Sequence, residues 1–121
     1  MTEAELLEII NLHAANAITS LSVYITLLFG YMTAAYVAGS KLSSLQVTIV
    51  SLVYVFSAIA WGLVNITHAH SLETLVAAHT NFVPSPFFLL PWSLLSGTAW
   101  FSCLIASLYF MYDIRSNSVK N

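Results

Sequence analysis

Three long runs without a charged residue constrain this chain more than any other feature of its sequence. The runs are Ile9–Ser40, Leu42–Leu72 and Thr74–Tyr112, with 32, 31 and 39 residues. Each is longer than the roughly 20 residues that an apolar helix needs to cross the hydrocarbon of a bilayer. A sheet with open edges would leave backbone groups unpaired in lipid. The sequence therefore predicts an all-α integral membrane protein with three transmembrane helices.

The composition excludes several other classes of protein. Charged residues make up 7% of the chain, whereas soluble domains carry about 25%. The three Lys and Arg residues cannot build the basic surface that nucleic acids require, so the lipid bilayer is the expected partner. The single cysteine, Cys103, excludes an internal disulfide framework.

Hydropathy and breaker residues divide the chain into its expected elements. We predict one transmembrane domain over residues 1–121, with spans at about 17–38, 45–67 and 86–112. Pro91 falls inside the last apolar run and is expected either to kink the third span or to mark its start. The polar tail after Tyr112 is expected to fray.

Two helical segments are predicted outside the spans. Thr2 and Glu5 have the spacing of a capping box, so the first helix should begin before the bilayer as an amphipathic N-terminal extension. Its length would exceed the thickness of the hydrocarbon whether the helix is continuous or bent at the membrane surface. The pattern of residues 72–79, after Ser71 as a cap, predicts a short interfacial helix between spans two and three.

Small and aromatic residues recur around the first connection. The pattern consists of Gly30-Tyr31, Ala34-Ala35-Tyr36, Gly39, Leu42 and Gln46. It resembles a pattern in small multi-pass proteins of bacterial inner membranes, and the resemblance covers about the first 50 residues. It implies an inner-membrane location and carries over no function and no site residue.

The basic residues predict the orientation in the membrane. Lys41 lies in the first connection, and Arg115 and Lys120 lie in the tail. In a three-span protein these two regions share one side, and the positive-inside rule assigns that side to the cytoplasm. We therefore expect the N-terminus outside and the C-terminus in the cytoplasm.

Polar side chains follow one face of each span and form what we call the polar seam. Because polar groups avoid lipid, these faces should meet protein or water. The seam consists of Asn16, Ser20, Tyr24 and Tyr31 on the first helix, Gln46, Tyr54, Ser57, Trp61 and Asn65 on the second, and Ser93, Trp100 and Ser107 on the third.

We interpret the seam as a set of groups that form hydrogen bonds between the copies of a homo-oligomer, since three helices enclose too little volume for a pore. An uncharged path or cavity lined by the seam is the alternative. Small residues that would let helices approach closely support association, and they are Gly30, Ala34, Ala38 and Gly97.

Histidines cluster after the second span, and imidazole is a common ligand of zinc, copper, nickel and iron. His68, His70 and His79 are the candidate metal ligands, with Glu73 nearby and His13 at a similar membrane level. His68 and His70 point to different sides of a helix, so chelation within one chain needs a loop geometry. The alternative is that these histidines simply lie at the membrane interface.

Three hypotheses for function remain, and none is enzymatic. The spans carry no charge in their middle, which argues against coupled ion transport, and no hydrolase or nucleotide-binding motif is present. The first hypothesis is a homo-oligomeric inner-membrane protein with a structural or interaction role. The second is a metal- or haem-binding redox module. The third is an accessory subunit of a larger membrane complex. No resident cofactor is predicted under the first hypothesis, the homo-oligomeric membrane protein.

Overall fold

Three long helices make up the structure. The computed structural model describes residues 2–79, 81 and 90–120. The helices are α1 (Glu3–Ala38), α2 (Ser44–Ala78) and α3 (Trp92–Lys120), and the described residues form no strand. All three are long and apolar enough to cross a membrane. The predicted all-α integral membrane fold with three spans is confirmed; the span limits and the single domain stay predictions.

The capping box at the start of α1 forms as predicted. The Glu5 N–H donates to Thr2 Oγ1 at 3.3 Å, and the Thr2 N–H donates to Glu5 Oε2 at 2.7 Å. The helix then continues without a break for 36 residues, about 54 Å at 1.5 Å per residue. This length exceeds the roughly 30 Å thickness of the hydrocarbon, and the location of the first turns outside the bilayer stays a prediction.

The predicted short interfacial helix is corrected in one respect. Its residues are helical, but they are the last turns of α2, which runs to Ala78. The sequence from His68 to Leu72 contains no glycine or proline to break the helix. The Ser71 hydroxyl donates to the Thr67 carbonyl one turn back at 3.0 Å, so it does not cap a new helix.

The extensions of α1 and α2 pack against each other. Leu6 and Ile10 are buried against Leu72 and Val76, with Trp92 at the side of this cluster. Packing of these aliphatic groups against each other stabilises the contact between α1 and α2. It also explains why α2 continues past its predicted span.

The third helix begins directly after Pro91. The Pro91 carbonyl accepts the Leu95 N–H at 3.0 Å, so this proline marks the start of the described helix, one of the two predicted alternatives. The predicted start at residue 86 lies outside the described residues. The tail prediction was wrong, because α3 extends to Lys120.

Arg115 explains the ordered end of α3. Its guanidinium donates to the Gly39 carbonyl at 3.1 Å, the Leu42 carbonyl at 2.8 Å and Ser44 Oγ at 3.4 Å. The carbonyls at a helix C-terminus have no partner within the helix and carry partial negative charge. Arg115 therefore closes the α1–α2 connection while anchoring α3 to it.

The bundle is apolar on the outside, and its interior is rich in small and polar residues. Phe56, Leu94 and Ile105 are exposed, whereas Ala35, Ala58 and Ser107 are buried. Such a distribution is unfavourable in water and suits lipid, where apolar side chains meet apolar chains.

Close helix contact depends on residues that differ from the predicted packing set. Gly30 faces outwards, and a Cβ built on it would meet no atom within 4 Å. Ala34 and Ala38 are half-buried, whereas Ala35 on the adjacent line is fully buried. Gly97 lies beside Ile66, at an ordinary contact distance of 3.6 Å for an added Cβ.

Gly62 on α2 lies in close contact with α3. A Cβ there would collide with the indole ring of Trp100 on α3. The same indole donates its Nε1–H to the Ala58 carbonyl at 2.9 Å. The absence of a side chain at Gly62 thus leaves space for the Trp100 ring.

Replacing Gly62 by Ala should destabilise the fold by about 1–3 kcal/mol, because Trp100 must move away. The matched control is Gly97→Ala, where an added methyl has room. The free energy of unfolding in detergent micelles measures both. Equal stabilities of the two variants would contradict this account of the α2–α3 contact.

Replacing Arg115 by Met should cost about 1 kcal/mol, since Arg115 is half-buried and its charged hydrogen bonds are partly screened. Lys120→Met, in the exposed last turn of α3, is the control and should be neutral. Unfolding in micelles again provides the measurement. A larger loss from Lys120→Met would show that charge alone, and not the hydrogen bonds, anchors α3.

Candidate functional site

The polar seam begins, at the end near the N-terminus, with Asn65. Its amide Nδ2 donates to the Ala17 carbonyl at 2.7 Å and contacts Ser20 Oγ at 3.2 Å. The Ser20 hydroxyl also donates to the Ala17 carbonyl, at 2.9 Å. Asn65 and Ser20 are both buried, so this group joins α1 to α2 inside the bundle.

Two stacked tyrosines form the middle of the seam. The rings of Tyr31 and Tyr54 lie 4.1 Å apart with an interplanar angle of 9°. The Tyr31 hydroxyl pairs with Ser51 Oγ at 2.8 Å, and the Tyr54 hydroxyl pairs with Ser107 Oγ at 2.9 Å. The Ser107 hydroxyl also lies 2.8 Å from the Leu104 carbonyl. Each tyrosine therefore connects two helices.

Trp100 completes the seam by bonding in two directions. Its backbone carbonyl accepts the Tyr24 hydroxyl at 2.9 Å, and its indole N–H donates to Ala58 on α2. One residue of α3 is thereby joined to both other helices.

The seam thus holds one chain together. Within the described ranges, no buried side-chain nitrogen or oxygen lacks a hydrogen-bond partner. Seven of the twelve residues that were predicted to bond between copies are already bonded inside the bundle. The structure brings together Ser20, Tyr24, Tyr31, Tyr54, Asn65, Trp100 and Ser107.

The other seam residues lie apart from this network. Gln46 is exposed and caps α2, where its Oε1 accepts the Ser43 N–H at 2.9 Å. Trp61 is exposed, at 38% of its surface. Asn16 and Ser57 are half-buried, and Ser93 bonds to Glu73.

Glu73 caps the start of α3. Its carboxylate accepts the Ser93 N–H at 2.6 Å and the Ser93 hydroxyl at 2.7 Å. A carboxylate at a helix N-terminus is favoured by the unpaired N–H groups and the helix dipole. The acidic residue near the predicted metal ligands therefore fixes the start of α3.

The three candidate metal ligands do not meet. His70 is largely exposed and lies 3.8 Å from Glu73. The His79 ring faces the Leu75 carbonyl at 3.1 Å in its own chain segment. His68 turns towards α1. In the part of the chain that the structure describes, no group of three His, Cys, Asp or Glu side chains could hold a metal ion.

His68 instead pairs with His13. Their Nδ1 atoms are 3.2 Å apart, and the ring centroids are separated by 5.5 Å at an angle of 48°. Both side chains are half-buried. At this distance one imidazole in its neutral form can donate to the other. The pair joins α1 and α2 one turn beyond Asn65.

An apolar cleft opens beside these residues. It has a volume of about 350 Å³, and the lining residues in the described ranges carry no ionisable group. Asn65 reaches the cleft, but its amide is already bonded to α1. The cleft can accommodate an aliphatic group and differs from the predicted polar cavity. Its walls include Ala17, Leu21, Leu72, Leu95 and Ala99.

These features define a small integral membrane protein whose polar residues hold its own three helices together. We compared the chain with models of protein families, with curated proteins and with solved structures, and none of the three comparisons finds a match.

Replacing Asn65 by Leu should destabilise the chain by about 1 kcal/mol, because the bonds to Ala17 and Ser20 are lost. Ser57→Ala is the control, since Ser57 takes no part in the network. Unfolding in micelles measures both. A neutral Asn65→Leu variant would mean that the contact of α1 with α2 does not need this hydrogen bond.

Proposed function

We propose that the chain is a small inner-membrane protein with a structural or interaction role, and that it works as a homo-oligomer. The proposal is carried by one surface of α1, which we call the α1 small face. Its residues are exposed and follow one another at steps of three or four, and they are Thr19, Ser22, Thr26, Gly30 and Thr33.

The α1 small face has the properties of a helix-association surface. Gly30 is the fourth of its five residues, and it has open space around it. The hydroxyls of Thr19, Ser22 and Thr26 bond to carbonyls one turn back in α1, at 2.9 Å each. They therefore present little polarity to a neighbour. Small residues at this spacing let a second helix backbone approach closely, and packing then replaces the hydrophobic effect as the driving force.

A second copy of the chain is the partner that we favour. The buried residues of the seam already bond within the bundle. Association through another surface is therefore favoured, and α1 supplies one on every copy. A two-fold dimer would bring the same face of both copies together, which is the commonest symmetry of homo-oligomers. Binding of the same face to another membrane protein corresponds to an accessory subunit and is the competing outcome.

The basic residues support the proposed orientation, with the N-terminus outside. Arg115 contacts the α1–α2 connection, and Lys41 belongs to that connection. The basic residues of the tail and the first connection therefore lie at one end of the bundle, which the positive-inside rule assigns to the cytoplasm. The histidines and Glu73 lie at the other end.

Replacing Gly30 by Leu should convert the oligomer to monomer, because the side chain separates the two α1 backbones. Ala60→Leu is the matched control, since Ala60 is exposed on α2 and is not in the α1 small face. Native mass spectrometry from detergent measures both. A parent protein that is monomeric alone and appears only with other proteins would favour the accessory subunit and overturn self-association.

A further inference from the structure

We propose that His13 and His68 form a binding site for one late first-row divalent metal ion, such as Cu²⁺, Ni²⁺ or Zn²⁺. This site is independent of the proposed self-association. It uses a histidine of α1 that the predicted cluster did not contain, and it leaves out His70 and His79.

The separation of the two nitrogens is the first argument. Their Nδ1 atoms are 3.2 Å apart. Two imidazole nitrogens bound to one tetrahedral zinc at about 2.0–2.1 Å lie roughly 3.3–3.4 Å from each other. The same spacing thus suits a shared proton or a shared metal ion. Replacement of the hydrogen bond by a metal ion requires a rotation of the two imidazole rings and little movement of the helices.

The rigidity of the surrounding contacts is the second argument. On one side of the pair, Leu6 and Ile10 of α1 are buried against α2. On the other side, Asn65 bonds to the Ala17 carbonyl. The two helices are therefore held at a fixed separation before any ion arrives. Preorganised ligands lose little conformational freedom on binding, which favours affinity.

The position of the pair is the third argument. His13 precedes the predicted first span and His68 follows the predicted second span, so both lie near the water boundary, where ions have access. Each ring is half-buried. No other hydrogen bond to the described chain occupies either imidazole.

The chemistry of the site follows from its donors. Imidazole binds copper, nickel and zinc well, and copper most strongly among them. Two protein ligands leave the other coordination positions to water. The donating imidazole must change tautomer, with its proton moving from Nδ1 to Nε2, before both Nδ1 atoms can bind the ion. Because protons and metal compete for imidazole nitrogen, affinity should fall with acidification. The bound ion would join the α1 and α2 extensions and stabilise the folded chain.

Two double variants test the proposal, because the chain has four histidines in all. His70→Gln with His79→Gln leaves only the proposed pair, and His13→Gln with His68→Gln leaves only the other two. Glutamine keeps polarity and approximate size, which favours folding. Titration of each purified protein with CuCl₂ and ZnCl₂ in detergent, followed by calorimetry and thermal unfolding, measures binding.

The first double variant should bind Cu²⁺ within about threefold of the parent affinity, and the second should lose at least tenfold. Metal should raise the melting temperature only where the pair is intact. The proposal is overturned if the second variant keeps the parent affinity or if the first loses it.

A spectroscopic measurement on the unmodified chain keeps the test independent of folding of the variants. Electron paramagnetic resonance of the protein with one equivalent of Cu²⁺ should show two nitrogen donors. A spectrum of fully hydrated copper, or one with a single nitrogen donor, would overturn the site.

Discussion

A polar group in lipid has no water to bond with, and this constraint governs the whole structure. Each buried hydroxyl, amide or indole N–H in the described interior must reach a partner on its own or a neighbouring helix. Asn65, Tyr54 and Trp100 do so across helix boundaries. Since apolar contact gains little over lipid contact in this environment, these bonds and the close packing at Gly62 select one arrangement of three helices.

The two ends of the bundle are held by different means. At the end with the first connection, a single guanidinium of Arg115 satisfies carbonyls of the loop. At the opposite end, aliphatic burial around Leu72 and the carboxylate of Glu73 hold α1, α2 and α3 together. In the predicted topology these extensions pass beyond the hydrocarbon, and removal of apolar surface from water would favour their contact.

Hydropathy and helical spacing were sufficient to predict three helices and most of the face that each turns inwards, since both depend on local sequence. Pairings between helices were not predictable in the same way. The register that brings Trp100 to Gly62, or His13 to His68, depends on how two helices slide along each other. A lone glycine within the apolar Trp61–Leu63 stretch was a usable sign of close contact. In the sequence, Arg115 is evidence only for the orientation of the chain in the membrane. Its position in the sequence does not indicate which carbonyls it binds.

The order in which the hydrogen bonds can form follows from where their partners lie in the chain. Ribosomes deliver α1 and α2 first, and this hairpin already contains the partners of Asn65 and Tyr31. The hydroxyls of Tyr24 and Tyr54 bond to groups on α3, which is synthesised last. Insertion of the hairpin and docking of the last helix are thus separate stages, as in two-stage membrane folding. Until α3 docks, the hydroxyls of Tyr24 and Tyr54 lack the partners that they have in the complete bundle.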